Sequence, residues 1–214
     1  IFVHGNHTAY LLENNFNSSN IVPIPYGIEP DKQNEKSFEK IDNPKKQVLF
    51  FGGIRKDKGI EKLAQVVKMN GNLDFNIAGK PEDFSTSQIE ELFKDSKNVN
   101  LKLGFIPEEE IPVLFKQADV LILPYEYYFS GQSGPLTLAA KYQIPVVASN
   151  VGDMGYDINK FNLGLTTDNN DAHLLSAALK EILINKTTYD ECLQLYYKRG
   201  LWGKVGSVIE RNYM

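Results

Sequence analysis

Val48-Leu49-Phe50-Phe51-Gly52-Gly53-Ile54-Arg55-Lys56-Asp57-Lys58-Gly59 is an apolar run that ends on two glycines and passes into a cationic turn. Consecutive apolar residues bounded by glycine are the pattern of a strand covered on both faces. From Ile60 the period changes, and Ile60, Leu63, Ala64 and Val67 recur at helical spacing. The same strand–turn–helix theme then repeats down the chain. Residues 73–78 (LDFNIA) stop at Gly79, and 99–103 stop at Gly104. Residues 120–123 and 145–148 are further strands, and 163–166 is a short sixth. Between them lie helical stripes at Ile89, Leu92 and Phe93, over 136–142, and at Leu174, Leu175, Ala178, Leu179 and Ile182. Pro107-Glu108-Glu109-Glu110 suits a first helical turn, with proline early and carboxylates at the positive end of the dipole. Two more helices are expected at about 189–198 and 203–213. The alternation predicts an α/β fold, a Rossmann-like parallel sheet with helices on both faces. In such sheets ligands bind beyond the carboxyl ends of the strands, which here carry Gly52, Gly53, Gly79, Gly104 and the Pro124 loop.

The first 28 residues read as a separate piece: a strand at 1–3, a helix at 7–14 and a strand at 21–24. Residues 29–46 are polar and mixed in charge, the composition of a linker or long loop. Residues 47–214 form the main domain. The sequence starts at Ile1 on a strand-like run, so it is expected to be part of a longer polypeptide.

Composition removes several classes of function. The 214 residues are 42% hydrophobic and 23% charged, an ordinary globular balance. A net charge of −4 gives no strongly basic surface, so no nucleic-acid partner is expected. One cysteine, Cys192, excludes a disulfide framework and a cysteine-based zinc site. His4, His7 and His173 are too scattered for a metal motif, and His7 and His173 read as surface residues. No apolar run approaches the roughly 20 residues of a membrane span.

Two segments carry chemistry. The turn at 51–59 offers backbone N–H groups, a helix start and the cations Arg55, Lys56 and Lys58 to an anion. It is neither a GxxxxGK[ST] loop nor a GxGxxG fingerprint, and a solvated charged turn fits it equally well. The second segment runs from Ala118 through Val120-Leu121-Ile122-Leu123-Pro124 into the aromatic loop Tyr125-Glu126-Tyr127-Tyr128-Phe129. It continues as Ser130-Gly131-Gln132-Ser133 to a helix start, a second cradle of N–H groups for an anion. Packing within the loop is the plainer role for its aromatics. Glu126 is its sole carboxylate, with a surface charge as the alternative.

Taken together, these residues resemble the retaining, nucleotide-sugar-dependent glycosyltransferases of family 4, with the two-domain GT-B fold. The resemblance is carried by 50–59, by Asn98-Val99-Asn100-Leu101-Lys102-Leu103-Gly104-Phe105-Ile106, and by Ala118 to Pro124. Gln143-Ile144-Pro145-Val146-Val147-Ala148-Ser149-Asn150-Val151-Gly152, the late Trp202, and Ile24-Pro25-Tyr26-Gly27-Ile28 before the linker complete it. It implies that 1–28 are the end of an N-terminal domain and that 47–214 are the nucleotide-sugar-binding domain. Sugar would pass from a nucleoside diphosphate sugar to a glycan or lipid acceptor with retention, in polysaccharide biosynthesis. By position, Arg55 and Lys58 would neutralise the donor diphosphate. Gly131, Gln132 and Ser133 would hold phosphate, Phe105 and Ile106 would flank the nucleobase, and Gly52 and Gly53 would approach the sugar or the acceptor side. No metal or cofactor is implied. The implied setting is cytoplasmic, with peripheral association of the full-length protein at the inner face of the membrane left open.

The sequence departs from the family at one place. Ser130 and Leu138 stand where the family has two glutamates spaced E-x7-E. Leu138 offers nothing to ribose hydroxyls, Ser130 makes a weaker sugar contact than glutamate, and Glu126 is the nearest substitute carboxylate. The departure favours a second reading, a non-catalytic nucleotide-binding or interaction module of the same descent. A third, a nucleotide-sugar epimerase or hydrolase on this fold, would draw on Glu126 and His4.

Overall fold

The computed structural model describes residues 1–16, 20–30, 43–168 and 171–213. The chain starts with β1 (Phe2–His4), α1 (Asn6–Phe16) and β2 (Val22–Ile24), and the two strands pair in parallel. Residues 31–42 of the expected linker lie outside the described residues.

The elements that follow are β3 (Gln47–Phe51), α2 (Ile60–Met69), β4 (Asp74–Gly79), α3 (Thr86–Phe93), β5 (Val99–Leu103), α4 (Ile111–Gln117) and β6 (Val120–Leu123). Then come α5 (Gly134–Lys141), β7 (Val146–Ser149), α6 (Gly152–Phe161), β8 (Gly164–Thr167), α7 (Ala172–Ile184), α8 (Asp190–Gly200) and α9 (Trp202–Tyr213). The fold is α/β, with six strands in the order β5-β4-β3-β6-β7-β8, every pairing parallel.

The central strands are as apolar as the sequence suggests. Val48, Leu49 and Phe50 of β3, all of β6, and Val146 to Ala148 of β7 are buried. Each such large side chain contributes roughly 1.5–3 kcal/mol of burial. The edge strand β5 differs: Asn100 and Lys102 are exposed while Val99, Leu101 and Leu103 are partly covered. Helix α2 buries Ile60, Leu63, Ala64, Val66 and Val67 against the sheet. A buried amide, Asn70, ties it to α7, donating to Ser176 Oγ at 2.8 Å. Helix α3 begins with a capping box between Ser85 and Gln88.

One expectation is corrected and one helix is added. The helix after β5 begins at Ile111, and Pro107 to Glu110 instead form a turn closed by Glu110 N–H on Pro107 O at 3.0 Å. Proline still sits in the first turn, as Pro112. Helix α6 was not anticipated, because two of its inward positions are aspartates. It buries Asp153, Met154, Gly155, Asp157 and Ile158, so acidic residues break its apolar stripe.

The C-terminal helices return to the start of the chain. Ile28 N–H donates to Gly200 O at 2.7 Å, and the Phe2 and Tyr213 rings stack 6.5 Å apart. Trp202 lies so close to Gly27 that a Cβ there would stand 2.3 Å from its ring. Among the described residues no helix is long and apolar enough to cross a membrane.

Candidate functional site

Strand order reverses between β3, which leads to β4 and β5 on one side, and β6, which leads to β7 and β8 on the other. Val48 and Leu49 lie opposite Val120 and Leu121 in that pair. A crevice opens beyond the strand ends at such a reversal. The two loops that leave there, 52–59 and 124–133, are the two segments that the sequence singles out.

Glycine makes their close approach possible. Gly59 has φ +69°, and a Cβ on it would stand 1.9 Å from Pro124 O. Asp57 O accepts Glu126 N–H at 2.9 Å, a second stitch between the loops. At Gly52 an added Cβ would meet Pro135, in the first turn of α5, at 3.3 Å. The glycine-rich turn therefore lies against the start of the helix that follows the second loop.

Arg55 is held rigidly by its neighbour. Its Nε and Nη2 donate to the two oxygens of Asp57 at 2.9 and 2.7 Å. This fork raises the guanidinium pKa and holds the Asp57 carboxyl below its usual range. Glu82 lies 4.0 Å from Nη1. Two of the five N–H donors are spent on Asp57, so the others stay available on a fixed, permanently charged group.

Lys58 is different. Its Nζ sits 3.8 Å from the Tyr125 ring centre and 3.9 Å from that of Phe129. These rings meet edge to face at 4.7 Å. Among the described residues no carboxylate pairs with it, and burial pulls its pKa down to about 8. The fully buried Tyr125 also carries the contact onward, its hydroxyl 3.2 Å from Ser133 Oγ. Lys58, Tyr125 and Ser133 thus join the cationic turn to the second cradle.

In that cradle the N–H groups of Gly131, Gln132 and Ser133 donate to no described residue. Gln132 Oε1 is buried and also unpartnered. Ser130 is exposed, and its carbonyl accepts Asp153 N–H from α6 at 3.2 Å. A guanidinium fixed by Asp57, a half-buried ammonium and three N–H groups without a described partner lie on the two loops that leave the switch point. Together they can bind a multiply charged anion.

Other singled-out residues lie apart from this group. Glu126 pairs with Lys62 of α2 at 3.0 Å. After Gly104 (φ +138°), Phe105 is 81% exposed and Ile106 is buried. Gly53 lies by Glu82, His4 is exposed at the end of β1, and Leu138 is partly buried against the core. Lys62, Asp153 and Asp157 were not picked out by the sequence. Two acids four apart in 152–161 were the only visible sign of the last two. His7, read as a surface residue, is partly exposed and lines an open cavity between α1 and α6.

The sequence profile described as "Glycosyl transferases group 1" matches residues 31–199. The chain belongs to this family. It is 28% identical over 149 residues to an uncharacterized 41.2 kDa protein in the cps region of Klebsiella pneumoniae, covering 68% of the chain and 38% of that protein. It is 31% identical over 81 residues to O-antigen chain mannosyltransferase B of Escherichia coli, covering 38% of the chain and 20% of that protein. Sucrose-phosphate synthase of Thermosynechococcus elongatus superposes with a TM-score of 0.78 at 20% identity, over 99% of the chain and 57% of the synthase. The group 1 chain thus spans well under two thirds of each of these proteins. The fold is that of GT-B glycosyltransferases.

Proposed function

We propose that this group 1 chain is the donor-binding half of a retaining glycosyltransferase that moves a sugar from a nucleoside diphosphate sugar to a glycan or lipid-linked acceptor. The observation that carries the reading is Lys58. It is a half-buried ammonium with no carboxylate partner among the described residues, placed between two rings at the sheet's switch point. Burying a charge costs free energy unless a counter-charge arrives. A diphosphate supplies one.

In this proposal Arg55 and Lys58 neutralise the diphosphate, and the N–H groups of Gly131, Gln132 and Ser133 bind its oxygens. Gln132 Oε1 accepts from a donor hydroxyl. Phe105 and Ile106 flank the nucleobase, and Gly52 and Gly53 leave room for the sugar. Glu126, fixed by Lys62, is the carboxylate at the rim. During transfer the bond from the sugar's anomeric carbon to the diphosphate oxygen breaks. The acceptor hydroxyl oxygen bonds to that carbon on the same face, and its proton passes to the leaving diphosphate. Charge grows on the leaving group, so the two cations stabilise the transition state more than the ground state. Each is worth about 4 kcal/mol at 4 Å and an effective dielectric of 20. This arrangement needs no metal.

One observation favours a second reading, a nucleotide-binding module without transfer activity. Leu138 packs against the core where the resembled family carries a glutamate for the ribose.

Calorimetry with UDP, GDP and ADP on the wild type and on Arg55→Ala tests the proposal. The expected result is binding of one nucleotide, at least tenfold weaker in the variant, with thermal stability unchanged. Binding of none, or equal loss of stability and binding, overturns it.

A further inference from the structure

Beyond the donor crevice, a cavity of about 630 Å³ opens between the start of α1 and helix α6. It is lined by His7, Asn150, Gly152, Tyr156, Asn159 and Lys160. That volume lies in the range of small-molecule sites. Gly152 joins it to the donor side, since a Cβ there would stand 2.6 Å from the Ser130 backbone.

The lining is built from donors around one aromatic face. Asn150 Nδ2 donates to Asp168 Oδ1 at 2.8 Å, and Asn159 Nδ2 donates to Asn150 Oδ1 at 3.1 Å. Thr166 Oγ1 in turn occupies Asn159 Oδ1 at 2.8 Å. Both amide oxygens are therefore engaged, while each amide keeps a spare N–H. Lys160 Nζ lies 5.2 Å from the Tyr156 ring centre and pairs with no carboxylate among the described residues. The His7 ring is tilted against Tyr156 at 5.8 Å. His7 is held there because Asp153 Oδ1 accepts its backbone N–H at 2.8 Å. Asn150, Asn159 and Lys160 are exposed, so a ligand in the cleft reaches their spare N–H groups and an ammonium with no carboxylate partner, a set that favours an acceptor-rich anion. The flat ring of Tyr156 suits the C–H face of a pyranose.

We infer that the cavity between α1 and α6 is an acceptor subsite for an acidic sugar, with Lys160, Asn150 and Asn159 on its anionic group and Tyr156 under its ring. The role as an acceptor site rests on the glycosyltransferase reading, and binding at the cavity can be tested apart from it.

The test is calorimetry on the 214-residue chain with trigalacturonic acid, maltotriose and inorganic phosphate as probes, comparing wild type with Lys160→Gln and Tyr156→Leu. Trigalacturonic acid is expected to bind more tightly than the other two. Its affinity should fall about tenfold in Lys160→Gln, the loss of one hydrogen bond to a charged group. It should also fall in Tyr156→Leu. UDP, GDP and ADP titrated into the same variants should bind as in the wild type, which separates this site from the donor crevice. Equal binding of maltotriose overturns the acidic class. Phosphate bound as tightly as trigalacturonic acid and weakened equally in Lys160→Gln overturns the saccharide, and an unchanged trigalacturonic acid affinity in Lys160→Gln overturns the site. Trigalacturonic acid binding that falls in Lys160→Gln, with no nucleotide bound by the wild type, would overturn the donor reading and leave the cavity assignment standing.

Discussion

Asp153 of α6 caps α1 from outside that helix: Thr8 donates to its carboxylate through both the backbone N–H, at 3.1 Å, and the side-chain hydroxyl. His7 N–H shares Oδ1 with Thr8 N–H, while the Thr8 hydroxyl donates to Oδ2. A negative charge is favoured at a helix N-terminus, and this one is buried. Gly5 is part of the device, since a Cβ there would stand 2.1 Å from the carboxylate. Asp157, one turn on, accepts from Asn6 and Tyr196 at 3.0 and 2.8 Å. The N-terminal unit is thus fastened to the sheet domain by two buried acids.

Asp153→Ala should therefore cost about 2–4 kcal/mol, since three donors lose a charged acceptor. At roughly 2–4 °C per kcal/mol for a chain of this size, melting should fall by about 5–15 °C. Amide exchange at His7 and Thr8 should rise more than in β3. Asp153→Asn keeps one acceptor and should fall between. Unchanged exchange across α1 would show that the cap does not hold it.

Lys58 should make both stability and binding depend on pH, in opposite senses. Its pKa is lowered from 10.5 to about 8 by burial, so the folded chain releases the proton before the unfolded chain does. Between those values the unfolded state binds more protons, and free-protein stability should rise with pH. After allowance for solvent screening the gain is about 1 kcal/mol, or 2–4 °C in melting. Nucleotide affinity should fall over the same range as the ammonium loses its charge. Lys58→Met should flatten both profiles. A pH-independent affinity would remove Lys58 from the site.

Two glycines should respond in opposite directions to alanine. Gly59→Ala meets both a left-handed backbone and Pro124 O, and should cost about 3 kcal/mol or more. Gly206 lies inside α9 with nothing within 4 Å of an added Cβ. Gly206→Ala should stabilise by about 0.5–1 kcal/mol. Chemical denaturation of both variants checks the pair.

The sheet was legible because buried parallel strands are apolar throughout, and glycines mark their ends. Val48 to Phe51 and Val120 to Leu123 carry that signal without interruption. The two anion loops were legible because their glycines and cations are contiguous in sequence. Helix α6 was hidden, because Asp153 and Asp157 fill inward positions for partners more than a hundred residues earlier in the chain. Nor does local sequence show that Glu126 pairs with Lys62, or that His7 lines a cavity. Those relations come from how α1, α2 and α6 pack. Pro107 misled because a proline followed by acids also suits a turn that precedes a helix.

Leu138→Glu tests how far the donor proposal extends to the nucleoside. Leu138 is in α5, one helical turn from the cradle, and is partly buried against the core. A glutamate there would stand at the position from which the resembled family grips the ribose. Two hydroxyls would then find a charged acceptor, at about 1.5–3 kcal/mol for a charged hydrogen bond. Nucleoside diphosphate affinity should rise about tenfold, less the cost of placing a carboxylate among apolar neighbours. That cost should appear as a loss of about 1–2 kcal/mol in stability. Ribose 5-phosphate should gain as UDP, GDP or ADP does, while inorganic pyrophosphate should not, because it lacks the diol. A variant that folds, loses the expected stability and binds all of these as the wild type does would place the ribose away from α5. The nucleoside would then be held by the edge near Phe105 alone.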